Sequence, residues 1–148
     1  FKYLESEFLN RDIIIGVSHG DFNSWNILNL KDTFYIYDWE LANYRIPLWD
    51  FFHFIIFYYL RFSSKSNSEI ENLLINDKNI EDYIQQYLLE VDTNVNKNVC
   101  LFIFAMELFN IYNNYKYLSN KTDKKSNSIV DSINLICIRI INKLLDNN

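Results

Sequence analysis

The sequence predicts an α+β fold that is mostly helical, with a short β-hairpin followed by a helical bundle. Three observations lead there. Short runs rich in β-branched and aromatic residues, broken by polar turns, lie between residues 13 and 38. After Pro47, the only proline, every long segment repeats its apolar residues at helical spacing. The 148 residues, 49% hydrophobic and 18% aromatic, suffice for one domain with a substantial core and not for two ordinary ones.

The apolar positions Tyr3, Leu4, Phe8 and Leu9 predict the end of a helix that Arg11 and Asp12 close. Ile13 to Val17 read as a short buried extended segment that leads into a loop from Ser18 to Asn26. Two further extended runs, Asn26 to Leu30 and Phe34 to Asp38, flank the turn-forming Lys31, Asp32 and Thr33 and predict a hairpin. Helical periodicity then covers Leu48 to Phe62, Glu69 to Ile75, Asn79 to Val91, Asn96 to Leu118 and Ser126 to Leu145. In the third of these, Ile80, Tyr83, Ile84, Tyr87, Leu88 and Val91 form one stripe opposite Glu81, Asp82, Gln85 and Gln86. Segments 63–68 and 119–127, rich in Ser, Asn and Lys, read as solvated linkers. The chemistry-bearing part thus spans about 13–54 and the helical part about 55–148 of one unit.

A net charge of −5 with both signs interspersed offers no basic stripe for a phosphate backbone, which argues against nucleic acid as a partner. The most apolar stretch, Phe51 to Leu60, is about half of what a membrane span needs. Cys100 and Cys137 stand far apart within apolar helical patterns and are expected to pack as small hydrophobes. No basic segment followed by an apolar run and a cleavage site opens the chain, and a start at Phe1 reads as a piece of a longer polypeptide.

Polar residues recur where the predicted strands begin and end: His19, Asp21 and Asn26, then Asp38 and Glu40, then Asp50. Phosphoryl transfer asks little covalent chemistry of a protein. It needs a carboxylate to orient an attacking hydroxyl, oxygen ligands for magnesium, and neutralisation of phosphate charge. Asp21 on its loop suits the base. Asn26 offers a hard amide oxygen and Asp38 a carboxylate, and a hairpin between them returns the chain to its starting end.

His19-x-Asp21-x-x-x-x-Asn26, an apolar hairpin ending in Asp38-Trp39-Glu40, and Pro47-x-Trp49-Asp50 together resemble the protein-kinase-like superfamily, nearest to its aminoglycoside phosphotransferase and choline kinase branch. The resemblance covers about residues 13 to 54 at motif level. It implies a kinase-like C-terminal lobe using ATP or another nucleoside triphosphate with Mg2+, with Asp21 as catalytic base and Asn26 and Asp38 as metal ligands. It also implies that His19 packs beneath the loop, that Asp50 receives hydrogen bonds from the loop backbone, and that Glu40 helps with metal or acceptor. The N-terminal lobe of that family has no counterpart before residue 13, so this chain by itself is expected to turn over little, and an exposed lobe interface is expected to leave an apolar patch that can drive self-association. A cytoplasmic location follows from the need for nucleotide.

The acceptor stays at the level of a small-molecule hydroxyl: an amino alcohol such as choline, a sugar or an aminoglycoside. Trp25, Trp39, Trp49, Tyr44 and Phe52 could hold a quaternary ammonium, though such residues more often belong to the core. Glu40, Glu90, Asp92 and Glu107 could draw a polycation, and Tyr112 to Tyr117 could line a groove. His53 is expected within the core. The competing readings are a noncatalytic kinase-like binding or scaffold module and a helical interaction domain in which Asp21, Asn26 and Asp38 do not converge.

Overall fold

Apolar periodicity translates directly into the helices of the computed structural model, which describes residues 14–91, 95–118 and 124–146, without the side chains of 115–118 and 124–127. The helix expected over residues 3–9 lies outside the described residues. Five α-helices are formed among the described residues: α1 (Trp49–Phe62), α2 (Asn67–Asn76), α3 (Lys78–Glu90), α4 (Lys97–Leu118) and α5 (Lys124–Asp146). Their ends follow capping chemistry. Ser66 and Glu69 close a capping box on α2, Ser66 N donating to Glu69 Oε2 at 2.8 Å. Asp77 ends α2 and caps α3 by accepting from Asn79 N and Ile80 N. Lys97, buried at the start of α4, donates to the Ile75 carbonyl at 3.0 Å and pairs with Glu81, which ties three helices at one point.

The core is built from Trp49, Phe52 and Ile56 of α1, Ile70 and Leu74 of α2, Leu101, Phe104 and Leu108 of α4, and Ile133, Ile136 and Ile140 of α5. Each fully buried side chain of this kind contributes about 1.5–3 kcal/mol. On α3 only Ile84 and Leu88 of the expected stripe are buried; Tyr83 and Val91 are exposed, and Tyr83 stacks on Phe51. Cys100 and Cys137 are buried and unpaired. Among the described residues no helix is long and apolar enough to cross a membrane.

Among the described residues, two separate two-stranded antiparallel sheets precede the bundle. Strands β2 (Ile27–Leu30) and β3 (Thr33–Ile36) form the expected hairpin. Lys31 and Asp32 both take positive φ, the mirror-image turn whose twist matches the strands. Strand β1 (Gly16–Ser18) pairs with β4 (Asn43–Arg45), a partnership the sequence did not announce. The segment before Ser18 also departs from expectation. Ile14, Ile15 and Val17 are exposed at 49%, 57% and 65%: among the described residues β1 has one partner strand, and none of these side chains enters the bundle core.

Candidate active site

The loop between β1 and β2 is anchored to the bundle by one carboxylate. Leu48 turns the chain with φ 69, and Asp50 follows in the first turn of α1, where the helix dipole favours negative charge. Asp50 Oδ2 accepts from His19 N at 2.7 Å; Oδ1 accepts from Gly20 N at 3.0 Å and Ser18 Oγ at 2.9 Å. The last residue of β1 and the first two of the loop are thereby held to a helix some thirty positions downstream.

His19 is buried under the loop and joins it to the end of β3. Its Nδ1 accepts from Asp21 N at 3.2 Å, so the hydrogen resides on Nε2, which donates to the Tyr37 carbonyl at 2.7 Å. Trp39 lies over the same ring, 4.8 Å between centroids. On the other side of Tyr37, its N–H donates to the Asn26 carbonyl at 3.1 Å, extending the hairpin ladder by one rung. Asp38 comes next, in a left-handed conformation with φ 67.

Asp21 and Asn26 touch. Asn26, buried in a 3-10 turn, donates Nδ2 to the Asp21 carbonyl at 2.9 Å and to Asp21 Oδ2 at 3.1 Å. Both amide hydrogens are thus spent on Asp21, and Oδ1 is the end left for another ligand. Asp21 Oδ1 accepts from Asn23 Nδ2 at 2.7 Å, and the Asn23 Oδ1 atom is buried without a partner. The Asp38 carboxylate hydrogen-bonds to neither Asp21 nor Asn26; it is exposed, as is Glu40. No group of three His, Cys, Asp or Glu among the described residues could hold a metal ion. One amide oxygen and one carboxylate nevertheless suit Mg2+, which keeps waters and phosphate oxygens in its remaining positions.

Two residues of this neighbourhood carried no clear signal in the sequence. Asn23 read as an ordinary loop residue. His53 was expected in the core and is there, yet it also reaches the loop: its Nδ1–H donates to the Phe22 carbonyl at 3.3 Å, and Nε2 lies 4.0 Å from Asp21 Oδ1. Trp49 and Phe57 flank the ring, and burial lowers its pKa from 6.5 to about 4 against the opposing pull of the Phe22 carbonyl, Asp21 and Asp50. Its position three residues after Asp50 puts both on one side of α1, the clue available beforehand.

Several expected acceptor contacts are otherwise engaged. Trp49 and Phe52 are core, and the face of Trp49 carries the Arg45 guanidinium at 4.3 Å. Arg61 lies 4.7 Å over Trp25. Glu107 is paired with Arg45, Asp92 lies outside the described residues, and Tyr112 packs against Phe57. Trp39 and Tyr44 remain exposed. A cavity of about 330 Å3 between β1, β4, α1 and α3 is bordered by Ser18, Asp50, Trp49 and Tyr83 but by none of Asp21, Asn26 and Asp38, so it lies behind the loop rather than at its chemistry.

Comparison of the chain with family models, curated proteins and solved structures gave no match.

Proposed function

We propose that this chain is the catalytic lobe of an ATP-dependent phosphotransferase of the aminoglycoside phosphotransferase and choline kinase type, which moves the γ-phosphoryl group to the hydroxyl of a small molecule. The observation that carries the reading is the Asn26 side chain. Its nitrogen fixes the carboxylate of Asp21 while its oxygen stays uncommitted, so one residue sets the base relative to a metal ligand. Such coupling is what positioning chemistry requires and what a solvated loop asparagine has no use for.

In this reading the free lone pairs of Asp21 accept the acceptor hydroxyl, and Asp21 takes its proton as that oxygen bonds to phosphorus and the nucleoside diphosphate leaves. Asn23 and Asn26 keep the two carboxylate oxygens oriented throughout. Asn26 Oδ1 and Asp38 would hold Mg2+, which when bound neutralises phosphate charge. Asp50 and His19 act on the loop backbone and not on substrate.

The test is phosphate transfer by the full-length protein to a panel of amino alcohols, sugars and aminoglycosides. Asp21→Asn is expected to lower kcat by about 10²–10⁴-fold with nucleotide binding retained. Undiminished transfer by that variant rejects the base. Absence of magnesium-dependent nucleotide binding in the wild-type protein selects the noncatalytic module instead.

A further inference from the structure

We infer that Arg45 is a positioning residue for the metal-side loop 38–41 and ties its placement to helix α4 through Glu107, an inference that rests on the phosphotransferase reading. Arg45 ends β4, where its backbone pairs with Gly16 of β1, two residues before Ser18. Its side chain, 9% exposed, points three ways. Nε donates to Glu107 Oε1 of α4 at 2.7 Å, Nη1 donates to the Leu41 carbonyl at 3.3 Å, and the guanidinium plane lies 4.3 Å over Trp49 in the first turn of α1. A lysine could not make this arrangement, since only the planar fork has donors aimed in two directions and a face to stack.

The Leu41 carbonyl is a meaningful place to hold. It presses on Gly20: a Cβ there would stand 2.2 Å from Leu41 O and 3.0 Å from Arg45 Nη1. The catalytic loop and the metal-side loop are therefore in backbone contact at this point, next to Asp21 on one side and two residues beyond Asp38-Trp39 on the other. Asp38 keeps a left-handed backbone, which aspartate adopts more readily than most L residues and which the neighbouring hydrogen bonds hold in place. Upstream, His19 holds the Tyr37 carbonyl; downstream, the Trp39 indole holds the Ile36 carbonyl, and Arg45 holds Leu41. Removing the guanidinium releases the downstream end while leaving Asp21, Asn26 and Asp50 untouched.

The experiment uses the full-length protein and follows Mn2+ binding in the presence of ATP by water-proton relaxation, beside the acceptor KM and a thermal melt. Arg45→Met keeps the apolar stem on Trp49. It is expected to raise the half-saturating Mn2+ concentration about tenfold, the size of one lost charge-assisted hydrogen bond, with the acceptor KM within about twofold of wild type. Glu107→Gln, at a carboxylate that is 33% exposed and so tolerant of change, is expected to move the midpoint the same way by about threefold, and it carries the test if Arg45→Met does not fold. An unchanged Mn2+ midpoint in these variants, while Asp38→Asn abolishes binding, overturns this inference alone. A KM that rises in proportion to the Mn2+ midpoint also overturns it, since a general loosening of the fold would do that. No Mn2+ binding by the wild-type protein, or equal binding by Asp38→Asn, overturns the phosphotransferase reading and this inference with it.

Discussion

Asp50→Asn removes one charge and alters almost no volume, so its effect isolates what the carboxylate does for the loop. Asp50 accepts three hydrogen bonds, at 2.7, 2.9 and 3.0 Å. The amide oxygen of asparagine can replace Oδ1 and keep Ser18 Oγ and Gly20 N, now without charge assistance. Its NH2 then faces the His19 N–H, donor against donor, and a part-buried N–H loses its partner. One lost charge-assisted bond and one unsatisfied donor together cost about 3 kcal/mol, since these contributions overlap and do not simply add. In a chain of this size that lowers Tm by about 6–12 °C. Urea unfolding followed by tryptophan emission, with Trp49 beside the substituted residue, is expected to show a lower midpoint with the slope unchanged. Ser18→Ala, which deletes only the hydroxyl donor, is expected to cost about 1 kcal/mol. An Asp50→Asn midpoint equal to that of wild type would show that water satisfies the loop backbone and that Asp50 does not anchor it.

Three further outcomes are expected. His53 stays neutral in the fold down to about pH 4 because burial opposes its charge, whereas the unfolded chain protonates near 6.5. Stability is therefore complete above pH 6.5 and falls by up to about 3 kcal/mol as the pH drops to 4; the difference between wild type and His53→Asn across that window measures it, and a flat difference contradicts it. Gly20→Ala, at φ +86 with its Cβ 2.2 Å from the Leu41 carbonyl, must push the two loops apart; a cost of about 1–3 kcal/mol and altered Trp39 emission are expected, and an unaltered melt would deny the close approach. Burial pushes the thiols of Cys100 and Cys137 up to about 12, so a disulfide reagent at pH 8 is expected to label neither until urea unfolds the chain, and prompt labelling would place a thiol at the surface.

The sequence made some levels of structure readable and not others, for physical reasons. All five described helices stand within three residues of their expected bounds, because a buried stripe must repeat at helical spacing wherever a helix packs on a core. Apolar periodicity starts α2 at Glu69, whereas the capping box Ser66-x-x-Glu69 starts it two residues earlier, at Asn67. The β1–β4 pair leaves no trace in the sequence, since strands of three residues are too short to show an alternation. Of the apolar run expected to be buried, Ile14, Ile15 and Val17 are exposed, because composition does not say which face finds a partner. At the site, residue types and the family resemblance nominated Asp21, Asn26 and Asp38, with His19 and Asp50 as supports of the loop, but pointed to neither Arg45 nor Asn23. Arg45 meets Glu107 across 62 positions, and the Asn23 amide reaches the Asp21 carboxylate through a local loop geometry that residue types do not fix.

Positive φ values gather around the proposed site. Five described residues have positive φ: Gly20, Lys31, Asp32, Asp38 and Leu48. Lys31 and Asp32 are explained by the hairpin turn. Each of the other three stands at a junction that aims one of the carboxylates: Gly20 before Asp21, Asp38 itself, and Leu48 two residues before Asp50. Glycine takes such a φ without steric cost and is used where a side chain would collide with Leu41. At Asp38 and Leu48 it would relieve strain too, but Leu48 is 6% exposed and fills the core. Asp38 is not held that way. Its side chain is exposed and makes no hydrogen bond among the described residues, so packing does not account for it, although aspartate enters the left-handed region more readily than most L residues. Under the proposed reading it would be a metal ligand beside the Asn26–Tyr37 rung.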